Sequence, residues 1–145
     1  MKYYIIAGEA SGDLYGSKLI DEIFSIDKKA EIRFWGGDNM IKSGGYNVKH
    51  IKELAFMGFY EVLKNITTIL RNISFCKNDI KEFDPDKIIY IDYPGFNLKI
   101  CKWAKNNGYK NFFYISPQIW AWKENRIKTI KKNILDYANT NHLDT

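Results

Sequence analysis

An α/β protein, with a parallel sheet covered on both faces, is the fold class that three features of this 145-residue chain predict. Short, continuously apolar runs rich in β-branched and aromatic residues recur along it, the pattern of strands buried on both sides. Between them lie longer segments whose apolar residues return at helical spacing. Glycine or proline closes most of these segments, which marks where the chain turns. Strand and helix in alternation build βαβ units, so the expected architecture is a doubly wound, Rossmann-like parallel sheet.

The elements follow in order. Lys2–Ala7 (KYYIIA) is a first strand that stops at Gly8. After the turn Gly8–Asp13, the stretch Leu14–Ile26 places Leu19, Ile20, Ile23, Phe24 and Ile26 near helical spacing. Ile32–Trp35 is a second strand closed by Gly36-Gly37, Asp38–Ser43 a short helix ending at Gly44-Gly45, and Tyr46–Val48 a minor strand. From Phe59 the apolar positions 59, 62, 63, 66, 69, 70 and 73, then 80 and 83, keep a helical period with no Gly or Pro before Pro85. Lys87–Ile91 (KIIYI) is the next strand, Phe96–Asn106 the next helix, and Asn111–Ile115 (NFFYI) a further strand. Trp120–Ile134 reads as a last, basic helix.

Composition excludes several classes. With 46% hydrophobic and 27% charged residues, three prolines and ten glycines, the chain is no disordered tail, fibre or linker. Its longest stretch without a charge, Asn111–Trp122, is broken by Pro117 and falls short of the ~20 residues that span a bilayer. An acid at Glu9 comes too early for a secretory leader. Two cysteines, Cys76 and Cys101, and no CxxC pair fit a reducing, cytoplasmic compartment. The formal net charge is +5, and it is unevenly placed: residues 99–132 hold nine basic side chains against Glu124 alone. Such a segment suits an anionic partner such as phosphate or a lipid surface, or simply reflects a composition crowded with Lys, Ile and Asn. No nucleic-acid motif accompanies it. His50 and His142 are isolated and no metal-ligand spacing occurs, so neither a metal site nor a cofactor is expected.

In an open parallel sheet, ligands bind outside the carboxyl ends of the strands. Three polar segments fall there and should share one crevice: Gly8–Asp13, Asp92–Asn97 and Ser116–Gln118. The first is a glycine turn entering a helix, where unpaired N–H groups and the dipole favour an anion. It is neither a dinucleotide fingerprint nor a Walker loop. Ser11 and Asp13 fit N-capping as well as ligand contact, whereas Glu9 has no evident structural use. Asp92, directly after an apolar strand, suits a general base whose pKa burial would raise, or else a turn cap. Asn97 fits a cap or a sugar hydroxyl. Trp120 and Trp122 fit the core or a stack on a sugar ring or acyl chain.

The segments GEASGD (Gly8–Asp13), WGGDNM (Trp35–Met40), ELAFMGFYEVL (Glu53–Leu63), IDYPGFN (Ile91–Asn97) and YISPQIWAWKENR (Tyr114–Arg126) together resemble the lipid-A-disaccharide synthase family in order and spacing. The resemblance covers about residues 3–132, the amino-terminal half of the family. It implies the amino-terminal domain of a GT-B glycosyltransferase. Such an enzyme is inverting and metal-free, and works peripherally at the cytoplasmic face of the inner membrane. Its substrates would be a UDP-activated diacylglucosamine and a diacylglucosamine 1-phosphate, its products the β-1,6-linked disaccharide and UDP. By the resemblance Asp92 is the catalytic base, and Gly8, Glu9, Ser11, Gly12, Asp13, Asn97, Ser116, Gln118, Trp122 and Arg126 line the substrate cleft. Met57 and Phe59, in the apolar stretch Leu54–Tyr60, and Lys128, Lys131 and Lys132 are the candidates for membrane contact; the apolar stretch fits core packing equally well. Two departures stand out. Gly95 replaces a second acid that many members carry, and Asn133–Thr145 no longer resembles the family.

The expected organisation is therefore a Rossmann-like acceptor-side domain over 1–132 and a divergent tail over 133–145. The carboxyl-terminal UDP-binding domain is expected to be missing or separate, so this fragment alone is expected to be inactive. The rival readings are a non-catalytic module that binds a phospholipid or nucleotide, an inactive remnant, and a salt-sensitive nucleic-acid binder.

Overall fold

The computed structural model describes residues 1–54 and 66–114. Five strands, β1 (Lys2–Ala7), β2 (Glu31–Gly36), β3 (Tyr46–His50), β4 (Lys87–Ile91) and β5 (Asn111–Tyr114), form one sheet in the order β3-β2-β1-β4-β5. Every pairing is parallel. The helices are α1 (Ala10–Ile26), α2 (Asp38–Ser43), α3 (Ile66–Phe83) and α4 (Pro94–Asn106), with a 3₁₀ turn at Ile51–Leu54. This is the doubly wound α/β arrangement expected from the sequence.

The two faces of the sheet separate by strand alternation. Tyr4 and Ile6 of β1, Ile88 and Tyr90 of β4, and Trp35 of β2 join Ile73, Cys76 and Ile80 of α3 and Phe96, Ile100, Cys101 and Ala104 of α4 in one buried cluster. Ile5 and Ala7, Ile89 and Ile91, and Phe34 join Leu19, Ile20 and Ile23 of α1 and Met40 of α2 in the other. Both neighbours of β1 are strands and both its faces carry helices, which is why KYYIIA is a continuous run rather than an alternating one.

Several boundaries differ from expectation. Helix α1 starts at Ala10, not Leu14, so Ser11, Gly12 and Asp13 are helical rather than in a turn. Helix α4 starts at Pro94, because proline at the first helical position loses no hydrogen bond there. Strand β3 reaches His50, two residues beyond the expected minor strand. Leu54, read as a candidate membrane contact with the stretch after it, is 1% exposed and belongs to the core. The expected helix start at Phe59 and the basic helix Trp120–Ile134 lie outside the described residues.

One polar network ties α3 to the sheet beneath it. The Arg33 guanidinium forks onto Asp79, Nη2 to Oδ1 at 2.6 Å and Nε to Oδ2 at 3.3 Å. The Tyr4 hydroxyl donates to Asp79 Oδ2 at 2.8 Å and accepts from Trp35 Nε1 at 2.8 Å. Asp79 is 7% exposed, and three donors meet its carboxyl group. Burial drives the Tyr4 phenol far above its ordinary pKa, which keeps it a donor throughout the working range. Removing the carboxylate leaves a phenol and a guanidinium short of partners. Asp79→Ala is expected to lower the unfolding free energy by about 2–4 kcal/mol, and Tyr4→Phe by about 1–2 kcal/mol, measured by urea denaturation.

Candidate active site

The strand order creates one topological switch point, between β1 and β4. Chain leaving β1 enters α1 on one face, and chain leaving β4 enters α4 on the other. Ala7 pairs with Ile91, so Gly8-Glu9 and Asp92-Tyr93 emerge side by side where the two helices diverge. The sheet rule places a ligand in this crevice.

Close packing shapes its floor. A Cβ on Gly12 would sit 3.2 Å from Ala7 Cβ and 3.4 Å from Ile91 Cγ2, so α1 lies tight on both strands. A Cβ on Gly8 would fall 2.3–2.6 Å from the ring of Tyr93. The tyrosine ring thus occupies the space above Gly8 and stacks on Phe96, with centroids 5.2 Å apart. Tyr93, which the sequence reading left without a role, is therefore part of the site; its signal was a bulky residue in the turn facing an obligatory glycine.

The electrostatics are acidic. Glu9 is the N-cap residue of α1, yet its side chain makes no capping bond. Burial raises its pKa first, and the charge of Asp92 raises it further. Tyr93 is raised in the same way, by burial and then by Glu9. Asp92 is 8% exposed at the end of β4. Two carboxylates and the Tyr93 ring over Gly8 thus flank the start of α1.

Asp13 and Asn97, both expected at the substrate cleft, make hydrogen bonds within the protein. Asp13 Oδ1 accepts from the Gly37 and Met40 N–H groups at 2.8 and 3.0 Å, and its Oδ2 from Asn39 N–H at 3.1 Å. It caps α2, not its own helix, and so fastens the WGGDNM loop to α1. The Asn97 side chain is fully buried and donates to Asp92 O at 2.6 Å and Ile6 O at 3.3 Å. Ser11 is exposed on the first turn of α1. A Cβ at Gly95 meets nothing within 4 Å, so the absence of a second acid there has no steric cause. His50, expected to be isolated, lies 2.9 Å from Asp38 through Nε2. Lys52 N–H donates to its Nδ1, so the proton sits on Nε2 and the pair straps α2 to β3. Ser116, Gln118, Trp122 and Arg126, with Met57, Phe59, Lys128, Lys131 and Lys132, lie outside the described residues.

A cavity of about 390 Å³ lies at the opposite edge of the sheet, lined by Asp84, Asp86, Lys87, Gly108 and Lys110 among others. It sits at the amino ends of the strands, away from the switch point. The coupling across the crevice is directly measurable. In Asp92→Asn the Glu9 pKa is expected to fall, because the neighbouring charge that opposed its ionisation is gone. It should stay above the ordinary glutamate value, because burial remains. A ¹³C NMR titration of the Glu9 carboxyl checks this.

Comparison with known proteins agrees with this fold. Two solved structures share the α/β fold expected of one domain of a GT-B enzyme. They are the UDP-GlcNAc 2-epimerase from Neisseria meningitidis bound to UDP-GlcNAc and the glycotransferase of kitacinnamycin. The first has a TM-score of 0.60 at 11% identity, covering 92% of this chain and 38% of the other. The second has a TM-score of 0.58 at 12% identity, covering 99% and 38%. Among curated proteins, the lipid-A-disaccharide synthase of Coxiella burnetii (strain Dugway 5J108-111) is 40% identical over 130 residues, 90% of this chain and 35% of that protein. The enzyme of the same name from Trichlorobacter lovleyi is 42% identical over 128 residues, 88% of this chain and 33% of its own length. The chain thus spans about a third of the length of the curated relatives it matches. The family model for lipid-A-disaccharide synthetase matches residues 3–137, and on that match the chain belongs to the lipid-A-disaccharide synthetase family.

Proposed function

We propose that this chain supplies the acceptor-side domain, over residues 1–132, of an inverting glycosyltransferase. The reaction joins a UDP-activated diacylglucosamine to a diacylglucosamine 1-phosphate and releases UDP. The observation that carries the reading is Asp92, a carboxylate at the carboxyl end of β4, inside the switch-point crevice of a member of this family. In the proposed step Asp92 takes the proton of an acceptor hydroxyl as that oxygen bonds to the anomeric carbon. The bond from that carbon to the UDP oxygen breaks, and UDP departs with the electron pair. Glu9 lies close enough for the Asp92 charge to oppose its ionisation. The remaining length found in the relatives is where we place the groups that hold UDP. Positioning two reactants in one cleft can supply roughly 7–11 kcal/mol of the barrier, so both walls are needed.

A peripheral site on the cytoplasmic face of the inner membrane fits this chemistry, since both proposed substrates carry acyl chains. Among the described residues, no helix is long and apolar enough to cross a membrane. Ile66 and Leu70, one turn apart on α3, are 49% and 53% exposed. Lys128, Lys131 and Lys132 are the proposed contacts to anionic head groups.

Two measurements test the proposal. With the remaining length of the enzyme supplied, Asp92→Asn is expected to cut kcat by about 10²–10⁴ with an unchanged circular dichroism spectrum; activity within a few-fold of the parent rejects Asp92 as the base. The chain is also expected to bind anionic vesicles more tightly than neutral ones, and less tightly as salt rises. Replacing Lys128, Lys131 and Lys132 by Gln should weaken binding by roughly 1 kcal/mol per charge in a sedimentation assay.

A further inference from the structure

Asp92 and Tyr93 both have left-handed backbones, at φ 48° and 55°, and neither is glycine. Two such residues in succession are held only where the surroundings over-determine them. The surroundings include one side chain that reaches both strands of the switch point. Asn97, fully buried, donates one amide hydrogen to the carbonyl of Asp92 and the other to the carbonyl of Ile6 in β1. Its own N–H donates to Tyr93 O at 2.9 Å, so backbone and side chain of one residue grip the carbonyls of both strained residues. Among the described residues its Oδ1 has no hydrogen-bond partner. A buried amide that uses both donors and leaves its acceptor unmet is retained for the donors. An apolar side chain of that size would have filled the same space without the unmet acceptor.

We infer that Asn97 is a positioning residue: its amide clamps the end of β4 to β1 and thereby holds Asp92 in the left-handed turn that aims its carboxylate into the crevice. It does not touch the substrate, because nothing of it is exposed. The inference deepens the proposed role of Asp92, but its geometric content is independent of catalysis.

The test is made on this chain with Asn97→Ala, Asp92→Gly, the double variant and Asp92→Asn. Glycine adopts φ > 0 without penalty, so the clamp should matter less once residue 92 is glycine. Asn97→Ala is expected to lower the melting temperature by about 10 °C in the parent and by clearly less in the Asp92→Gly background. Folding of the double variant where Asn97→Ala alone fails to fold supports the inference equally. An equal loss in both backgrounds, or failure to fold in both, overturns it. The second readout is the Glu9 carboxyl titration, which senses where the Asp92 charge sits. In Asn97→Ala it is expected to shift towards its value in Asp92→Asn; an unchanged titration in a folded variant means Asp92 has not moved and overturns the positioning role. These outcomes are separate from the kinetic effect of Asp92→Asn, so the clamp and the base can fail independently.

Discussion

Everything at the site follows from the parallel pairing of β1 with β4 and the departure of their helices to opposite faces. Parallel neighbours bring their carboxyl ends to the same edge, and here Ala7 and Ile91 end in register. Because α1 and α4 cannot occupy the same side, the chain ends diverge and leave a gap between them. The gap is narrow. Gly8 has room for nothing beyond hydrogen beneath the Tyr93 ring, and Gly12 lets α1 come within van der Waals contact of both strands.

Such a gap is electrostatically costly, and two side chains secure it without entering it. Asp13 accepts three backbone N–H groups and so fixes the loop after β2 against α1. Asn97 joins the ends of β1 and β4 through two carbonyls. Holding two non-glycine residues left-handed costs on the order of 1–3 kcal/mol each, which the buried amide and the Tyr93–Phe96 stack offset. What remains at the mouth is a pair of carboxylates whose mutual repulsion, added to burial, opposes full ionisation of Glu9.

Both resemblance and periodicity identified the crevice, by different routes. Strand runs such as KYYIIA and KIIYI are legible because a strand covered on both faces must be apolar throughout, and the segments after them were assigned to one edge by the sheet rule alone. The family's motifs matched the order of those segments and made Asp92, already a candidate base from its place after an apolar strand, the expected catalytic residue. Capping was legible as an alternative for Asp13 and not for Glu9, but neither route could name their partners. Both are acids in GEASGD, and only the fold reveals that one is surrounded by N–H groups of α2 while the other meets a second carboxylate.

The sequence by itself determined the α/β class, the strands, and the grouping of Gly8, Glu9 and Asp92 at one edge, because periodicity and glycine placement are local properties of the chain. Tertiary structure decided what each polar group does there. The partners of Asp13 lie 24 to 27 residues away and one partner of Asn97 lies 91 residues away, distances at which no spacing rule operates. The ring of Tyr93 over Gly8 and the pairing of His50 with Asp38 have the same origin. A side chain's neighbours across the sheet are set by strand order, and strand order is fixed only when all five strands have found their places.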